Sequence, residues 1–104
     1  MEKMEGKKDL KETFRSFLVN LDAFLDSKAV IEDTKITILY LQEPEEVINE
    51  YYVRGLVQIG NYAYPVEITF DRELDVIKID SQIFHFHLTS KEMIDFLKEH
   101  GGEA

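Results

Sequence analysis

Hydrophobic positions recur at helical spacing through the first quarter of the chain. Steps of three and four residues place them on one stripe of an amphipathic helix, with charged residues on the opposite side. The stripe consists of Leu10, Phe14, Phe17, Leu18, Leu21, Phe24 and Leu25. The pattern predicts one helix over about residues 8–27. Because its apolar face is wide, we expect this helix to pack against another element.

A β-branched and apolar run at Thr34–Leu41 predicts the first strand. Strict alternation would place Tyr40 on the same face as Ile36 and Ile38, and Leu41 on the opposite face. Both faces of this strand would then be covered. Segment 43–46, with the letters EPEE, ends the strand. Its proline is compatible with a short helical turn or with a hairpin loop.

The strongest local pattern is a hairpin in which Tyr51–Ile59 and Tyr62–Phe70 flank a Gly-Asn dipeptide at 60–61. This dipeptide suits a two-residue turn, which fixes the register of the two strands. The predicted core-face pairs are Ile59 with Tyr62, Val57 with Tyr64, Gly55 with Val66, Val53 with Ile68 and Tyr51 with Phe70. On the other face, Arg54 would meet Glu67. A slip of one residue would destroy both patterns.

Two shorter strands follow the hairpin. Ile77 and Ile79 predict the core face of a fourth strand, and Ile83–Leu88 alternates as a fifth. A four-residue loop between them would pair Ile79 with Phe84. The spacing of Thr89 and Glu92 in the sequence then predicts a capping box at the start of a helix over about residues 90–100.

These elements predict an α+β domain with an N-terminal helix, a four- to five-stranded antiparallel meander sheet and a C-terminal helix. Two helices on one face of such a sheet make two layers. A curled, barrel-like sheet plugged by the first helix is the alternative. We expect a single domain over residues 1–104, with frayed ends at about 1–6 and 101–104 and Gly101 as the last helix cap.

The predicted sheet leaves a partly apolar face without a helix. Such a patch on a small protein is typical of an interface, and a two-fold homodimer is the commonest arrangement. Isolated surface apolar residues are the alternative explanation. The candidate interface residues are Tyr52, Leu56, Pro65, Ile83, His85 and His87.

Composition narrows the choice of partners. The chain has 104 residues, 12 Lys and Arg against 21 Asp and Glu, a net charge of −9 and no cysteine. This charge disfavours nucleic acid and membrane surfaces, and it is explained either by solubility alone or by docking on a basic protein partner. The absence of cysteine excludes a disulfide scaffold and thiolate catalysis. Without an apolar run long enough for a membrane span or a signal peptide, we expect a cytoplasmic protein.

Candidate chemistry is limited to one motif, His85 and His87 on either side of a phenylalanine. Alternation puts both imidazoles on one side of a strand, where a third ligand such as Asp75, Asp80 or Glu67 would complete a metal site. Two half-exposed histidines on a sheet face are the simpler explanation, so we predict no metal and no cofactor. Serine-triad and phosphate-loop motifs are absent from the sequence.

The sequence therefore predicts a non-enzymatic protein–protein interaction module that forms a homodimer through the second sheet face. Adaptors, chaperone-like proteins and inhibitors of the immunity type share this description. The alternative is a domain that binds a small ligand or a metal on the strand face of His85 and His87. No known family is identified by these residues.

Overall fold

The computed structural model describes residues 10–28 and 35–100. This part of the chain has three helices and a six-stranded antiparallel sheet, which confirms the predicted α+β class. The elements are α1 Leu10–Val19, α2 Leu21–Ser27, β1 Ile36–Leu41, β2 Glu45–Val47, β3 Glu50–Ile59, β4 Tyr62–Asp71, β5 Val76–Ser81, β6 His85–Thr89 and α3 Ser90–Glu99. The predicted frayed ends and the predicted Gly101 cap lie outside the described residues.

The sheet is open and has the strand order β1-β3-β4-β5-β6. The short strand β2 also pairs with β3, so β1 and β2 together form one edge and β6 forms the other. Neighbouring strands follow each other along most of the chain, as expected for a meander. The open sheet agrees with the two-layer prediction and not with a closed barrel.

The β3–β4 hairpin has the predicted register at every position. Tyr51 pairs with Phe70, and Arg54 lies opposite Glu67. Gly60 has φ of +63° in the turn, a conformation that glycine adopts without steric cost. The dipeptide therefore sets the register, as the sequence predicted.

An aromatic core lies between the helices and one face of the sheet. Phe14 of α1 packs on Phe70 of β4, with ring centroids 5.4 Å apart. Phe96 of α3 meets Phe17 of α1 and Phe24 of α2 edge-on. Burial of one such ring stabilises the fold by about 1.5–3 kcal/mol. These contacts fix all three helices on the same face and leave the opposite face without a described helix.

The prediction of a single helix over residues 8–27 is wrong, because the chain turns at Asn20. Asn20 has φ of −105° and ψ of 18°, and its side-chain Nδ2 donates to the Ser16 carbonyl oxygen, 2.9 Å away. An asparagine side chain competes in this way for the carbonyl groups of a helix. The hydrophobic repeat hid the break, because α1 and α2 both bury residues against the same core.

Strict alternation in β1 is also wrong, because Leu39 is the extra residue of a β-bulge. The bulge exchanges the faces of the residues that follow it. Tyr40 is 53% exposed on the face opposite the core, and Leu41 packs against the core. Gly55 lies opposite Leu41, where a Cβ atom would collide with the Tyr40 carbonyl oxygen. The bulge therefore requires glycine at this position.

The segment that begins at Glu45 is a strand, β2, and not a helical turn. It folds back on β3 through a tight turn at Ile48, which has φ of +43°. Arg72 holds this turn, because its Nη2 donates to the Ile48 carbonyl oxygen over 2.7 Å. The turn lacks glycine, and Asn49 is its one residue of a type that favours turns.

The pairing of β5 with β6 differs from the prediction by two residues. Ile79 pairs with Phe86 instead of Phe84. Phe84 is buried in the turn between the strands, and its carbonyl oxygen accepts a hydrogen bond from the Ser81 N–H. Ile83 lies in the same turn and is not part of a strand. Alternation fixes which face a side chain takes, but it does not fix the length of a turn without a glycine signal.

The capping box of α3 is confirmed. Thr89 Oγ1 accepts from the Glu92 N–H over 3.1 Å, and Glu92 Oε1 accepts from the Thr89 N–H over 2.9 Å. At the other end of α3, His100 occupies the cap position, and its N–H donates to the Phe96 carbonyl oxygen. The two reciprocal bonds between Thr89 and Glu92 therefore place the start of α3 where the sequence predicted it.

Candidate functional site

The candidate site is the open face, the side of the sheet that no helix of residues 10–28 and 35–100 covers. At its centre, side chains form three rows across neighbouring strands. The rows are Tyr40, Leu56 and Pro65; Arg54, Glu67, Asp80 and His85; and Glu45, Tyr52, Thr69, Lys78 and His87. The surface is therefore built by five strand pairings and shaped by the β1 bulge.

The first row is apolar. Tyr40 is 53% exposed, Pro65 is exposed and Leu56 is half-buried between them. The bulge brings Tyr40 into this row, and strict alternation would have buried it. Sequence reasoning missed Tyr40 for that reason, since nothing in the letters of β1 marks the bulge.

The second row is charged. Arg54 lies opposite Glu67, Asp80 follows on β5, and His85 Nδ1 lies 2.9 Å from Asp80 Oδ1. With Glu45 and Lys78 in the third row, the three rows hold two fully cationic and three anionic side chains. The three rows thus carry little of the −9 of the whole chain.

Tyr52 and Arg54 form a contact within the open face. Arg54 Nε donates to the Tyr52 hydroxyl oxygen over 3.0 Å, and the guanidinium carbon lies 5.5 Å from the ring centroid. The hydrogen bond to Tyr52 raises the pKa of Arg54. The pair borders a depression of about 180 Å³ whose other lining residues are Gln42, Glu43 and Glu45.

The structure brings together five of the six residues that the sequence proposed for an interface. Tyr52, Leu56, Pro65, His85 and His87 share the open face. The sixth residue, Ile83, lies in the β5–β6 turn and is 40% exposed.

The histidines on β6 have one acidic neighbour in contact. Asp80 reaches His85, whereas Asp75 lies in the β4–β5 turn at φ of +61°. Across residues 10–28 and 35–100, no group of three or more His, Cys, Asp or Glu side chains could hold a metal ion.

A cleft of about 500 Å³ opens on the helix side of the molecule, between α2, β6 and α3. Its floor contains Phe24, Phe86 and Phe96, and its lining also includes Lys28 and Glu99. Sequence reasoning did not find this cleft. The acidic residues of α3 recur at helical spacing and were a signal for one side of it, but the aromatic floor depends on three separate elements.

Comparison with known proteins gives a partial similarity to an enzyme. The chain is 29% identical over 84 residues to formimidoylglutamases of Staphylococcus aureus strains JH9 and Newman. The similar region is 80% of this chain and 27% of each relative, so the chain spans about a quarter of the length of the curated relatives it matches.

Other comparisons define neither a family nor a structural relative. No protein-family model matches the chain. No solved structure matches it. Within the described residues, no helix is both long and apolar enough to cross a membrane.

Proposed function

We propose that the protein is a small acidic interaction module that forms a two-fold homodimer through the open face. The observation that carries the proposal is the charge of this face. Its three rows hold two fully cationic and three anionic side chains, while the chain as a whole carries −9. Two copies therefore repel each other least when they approach through the open face.

The open face also suits contact with itself. A two-fold interface uses the same patch on both copies, so each group needs a complement within the patch. Arg54 of one copy has Glu67 and Asp80 of the other as complements. The apolar row with Tyr40 and Leu56 would be removed from water between the two sheets, which pack face to face about 10 Å apart in such arrangements.

Light scattering after size exclusion tests the dimer. We expect twice the 12.2 kDa of the chain. The variant Leu56→Asp buries an unpaired carboxylate at the centre of the proposed interface and is expected to be monomeric. Leu74→Asp is the matched control, because Leu74 is 68% exposed in the β4–β5 turn, away from the three rows. This control is expected to remain dimeric.

Circular dichroism must show that both variants keep their folds. A monomeric wild-type protein at micromolar concentration would contradict the proposal. Equal loss of the dimer in both variants would also contradict it, because the effect would then not depend on the open face.

The acidic remainder of the surface supports a basic protein as the further partner of the dimer. An adaptor, a chaperone-like protein and an inhibitor of a basic binding surface all fit this chemistry. Steep weakening of the complex with salt favours the inhibitor, since charge complementarity then dominates the affinity. A salt-resistant complex favours the chaperone-like protein, because burial of apolar surface then dominates.

The similarity to formimidoylglutamase favours a second candidate function, in which the chain acts on formimidoylglutamate. It takes second place because the similar region is 27% of the relative's length. Incubation of the protein with N-formimidoyl-L-glutamate, followed by mass spectrometry, tests this candidate. Consumption of the compound beyond a buffer control supports it, and unchanged substrate removes it.

A further inference from the structure

The cleft between α2, β6 and α3 has an aromatic floor. The Phe24 ring lies nearly perpendicular to those of Phe86 and Phe96, at 83° and 89°, with centroids 5.9 and 5.4 Å away. The volume of about 500 Å³ is typical of a site for a small ligand. Aromatic rings attract cations through their electron-rich faces.

One wall of the cleft is acidic. Glu92, Asp95 and Glu99 of α3 all line it, at positions i, i+3 and i+7 that share one side of a helix. All three side chains are exposed to solvent, with Glu92 in the capping box and Asp95 Oδ2 3.1 Å from the Lys91 ammonium. The rest of the lining includes one lysine, Lys28, and two histidines, so carboxylates outnumber fully cationic groups in the lining.

The protein already places a cation of its own over the aromatic floor. Lys28 Nζ lies 5.1 Å from the centroid of the Phe24 ring, within the range of a cation–π contact. Lys28 follows α2 as its C-cap and is exposed, so its ammonium can leave the ring without disturbing the core. This contact shows that a cation can lie over the Phe24 ring.

We infer that this cleft binds a small organic cation, an ammonium or guanidinium group on an apolar stem. The stem packs on the phenylalanine floor, and the charge lies between the Phe24 ring and the carboxylates of α3. The ligand displaces the Lys28 ammonium. The inference does not rest on the dimer proposed above, because His87 on the edge strand β6 is the one residue of the three rows that also lines the cleft.

A titration with benzylamine followed by NMR tests the inference. Benzylamine is cationic at neutral pH, and benzyl alcohol is a neutral probe of nearly the same shape. We expect benzylamine to shift the ring resonances of the three phenylalanines with a dissociation constant on the order of 1 mM. Benzyl alcohol is expected to bind at least about five-fold more weakly, because it lacks the charge.

Variants then separate the cleft from the overall negative charge. Asp95→Asn/Glu99→Gln is expected to weaken benzylamine about five-fold. Lys28→Met keeps the apolar stem of the side chain and removes the competing ammonium, so it is expected to tighten binding about three-fold. The control Glu43→Gln/Glu45→Gln makes the same change in net charge at the opposite edge of the sheet and is expected to leave binding unchanged.

Three results would overturn the inference. They are shifts from benzyl alcohol as strong as those from benzylamine, equal weakening in the control variant, and unchanged or weaker binding in Lys28→Met. The Leu56→Asp variant is expected to bind benzylamine as the wild type does. This result tests whether the cleft is independent of the open face, because loss of the dimer is expected to leave benzylamine binding unchanged.

Discussion

At the scale of single residues, Gly55 has the sharpest steric requirement. A methyl group there would collide with the Tyr40 carbonyl oxygen and with the Leu41 side chain. Backbone cannot yield as a flexible side chain does, so we expect Gly55→Ala to lower the free energy of unfolding by about 3 kcal/mol. Urea unfolding measures the change.

Gly60→Ala is the matched control for this substitution. Gly60 has φ of +63°, but a Cβ atom there would meet open space. The expected cost is the left-handed conformation alone, about 1–2 kcal/mol. A loss at Gly60 equal to or larger than that at Gly55 would contradict the steric explanation of the bulge.

At the scale of elements, the capping box decides where α3 begins. Thr89→Ala removes the acceptor of the Glu92 N–H and is expected to lower the free energy of unfolding by about 1 kcal/mol. Glu92→Gln keeps an oxygen that accepts from the Thr89 N–H and is expected to cost much less. Urea midpoints of the two variants check the difference. Equal losses of stability would mean that the hydrogen bond from the Thr89 N–H to the side chain at position 92 does not stabilise the start of α3.

The elements that the sequence predicted correctly are those with a local chemical signal. The Gly-Asn turn defined all ten pairings of β3 with β4, and the capping box defined the start of α3. The errors lie where a local signal was missing or was masked by the hydrophobic repeat. The bulge at Leu39 depends on the partner strand, and the break at Asn20 leaves the spacing of buried residues intact.

The candidate site, too, could be predicted only where a local sequence signal exists. The sequence could place Leu56 and His87 on one face, because alternation within a strand is a local property. It could not show that Asp80 would complete a charged row beside Glu67, since that neighbour depends on the register between β4 and β5. The small net charge of the three rows is a property of the assembled sheet.

At the scale of the whole molecule, the net charge predicts an unusual salt dependence for self-association. Each copy carries −9, so two copies repel each other at long range even when the contacting surfaces are neutral. The screening length falls from about 30 Å at 0.01 M salt to about 10 Å at 0.1 M. We therefore expect the dimer to tighten about ten-fold between 10 and 150 mM sodium chloride.

Analytical ultracentrifugation at several salt concentrations measures this effect. The affinity for a basic partner is expected to fall as the salt concentration rises, because salt screens the attraction between unlike charges. A dimer that weakens steadily with salt would show that ion pairs such as Arg54 with Asp80 of the other copy dominate the interface. The sign of the salt effect thus distinguishes a contact surface of low net charge, with most of the acidic charge outside it, from a contact held by ion pairs.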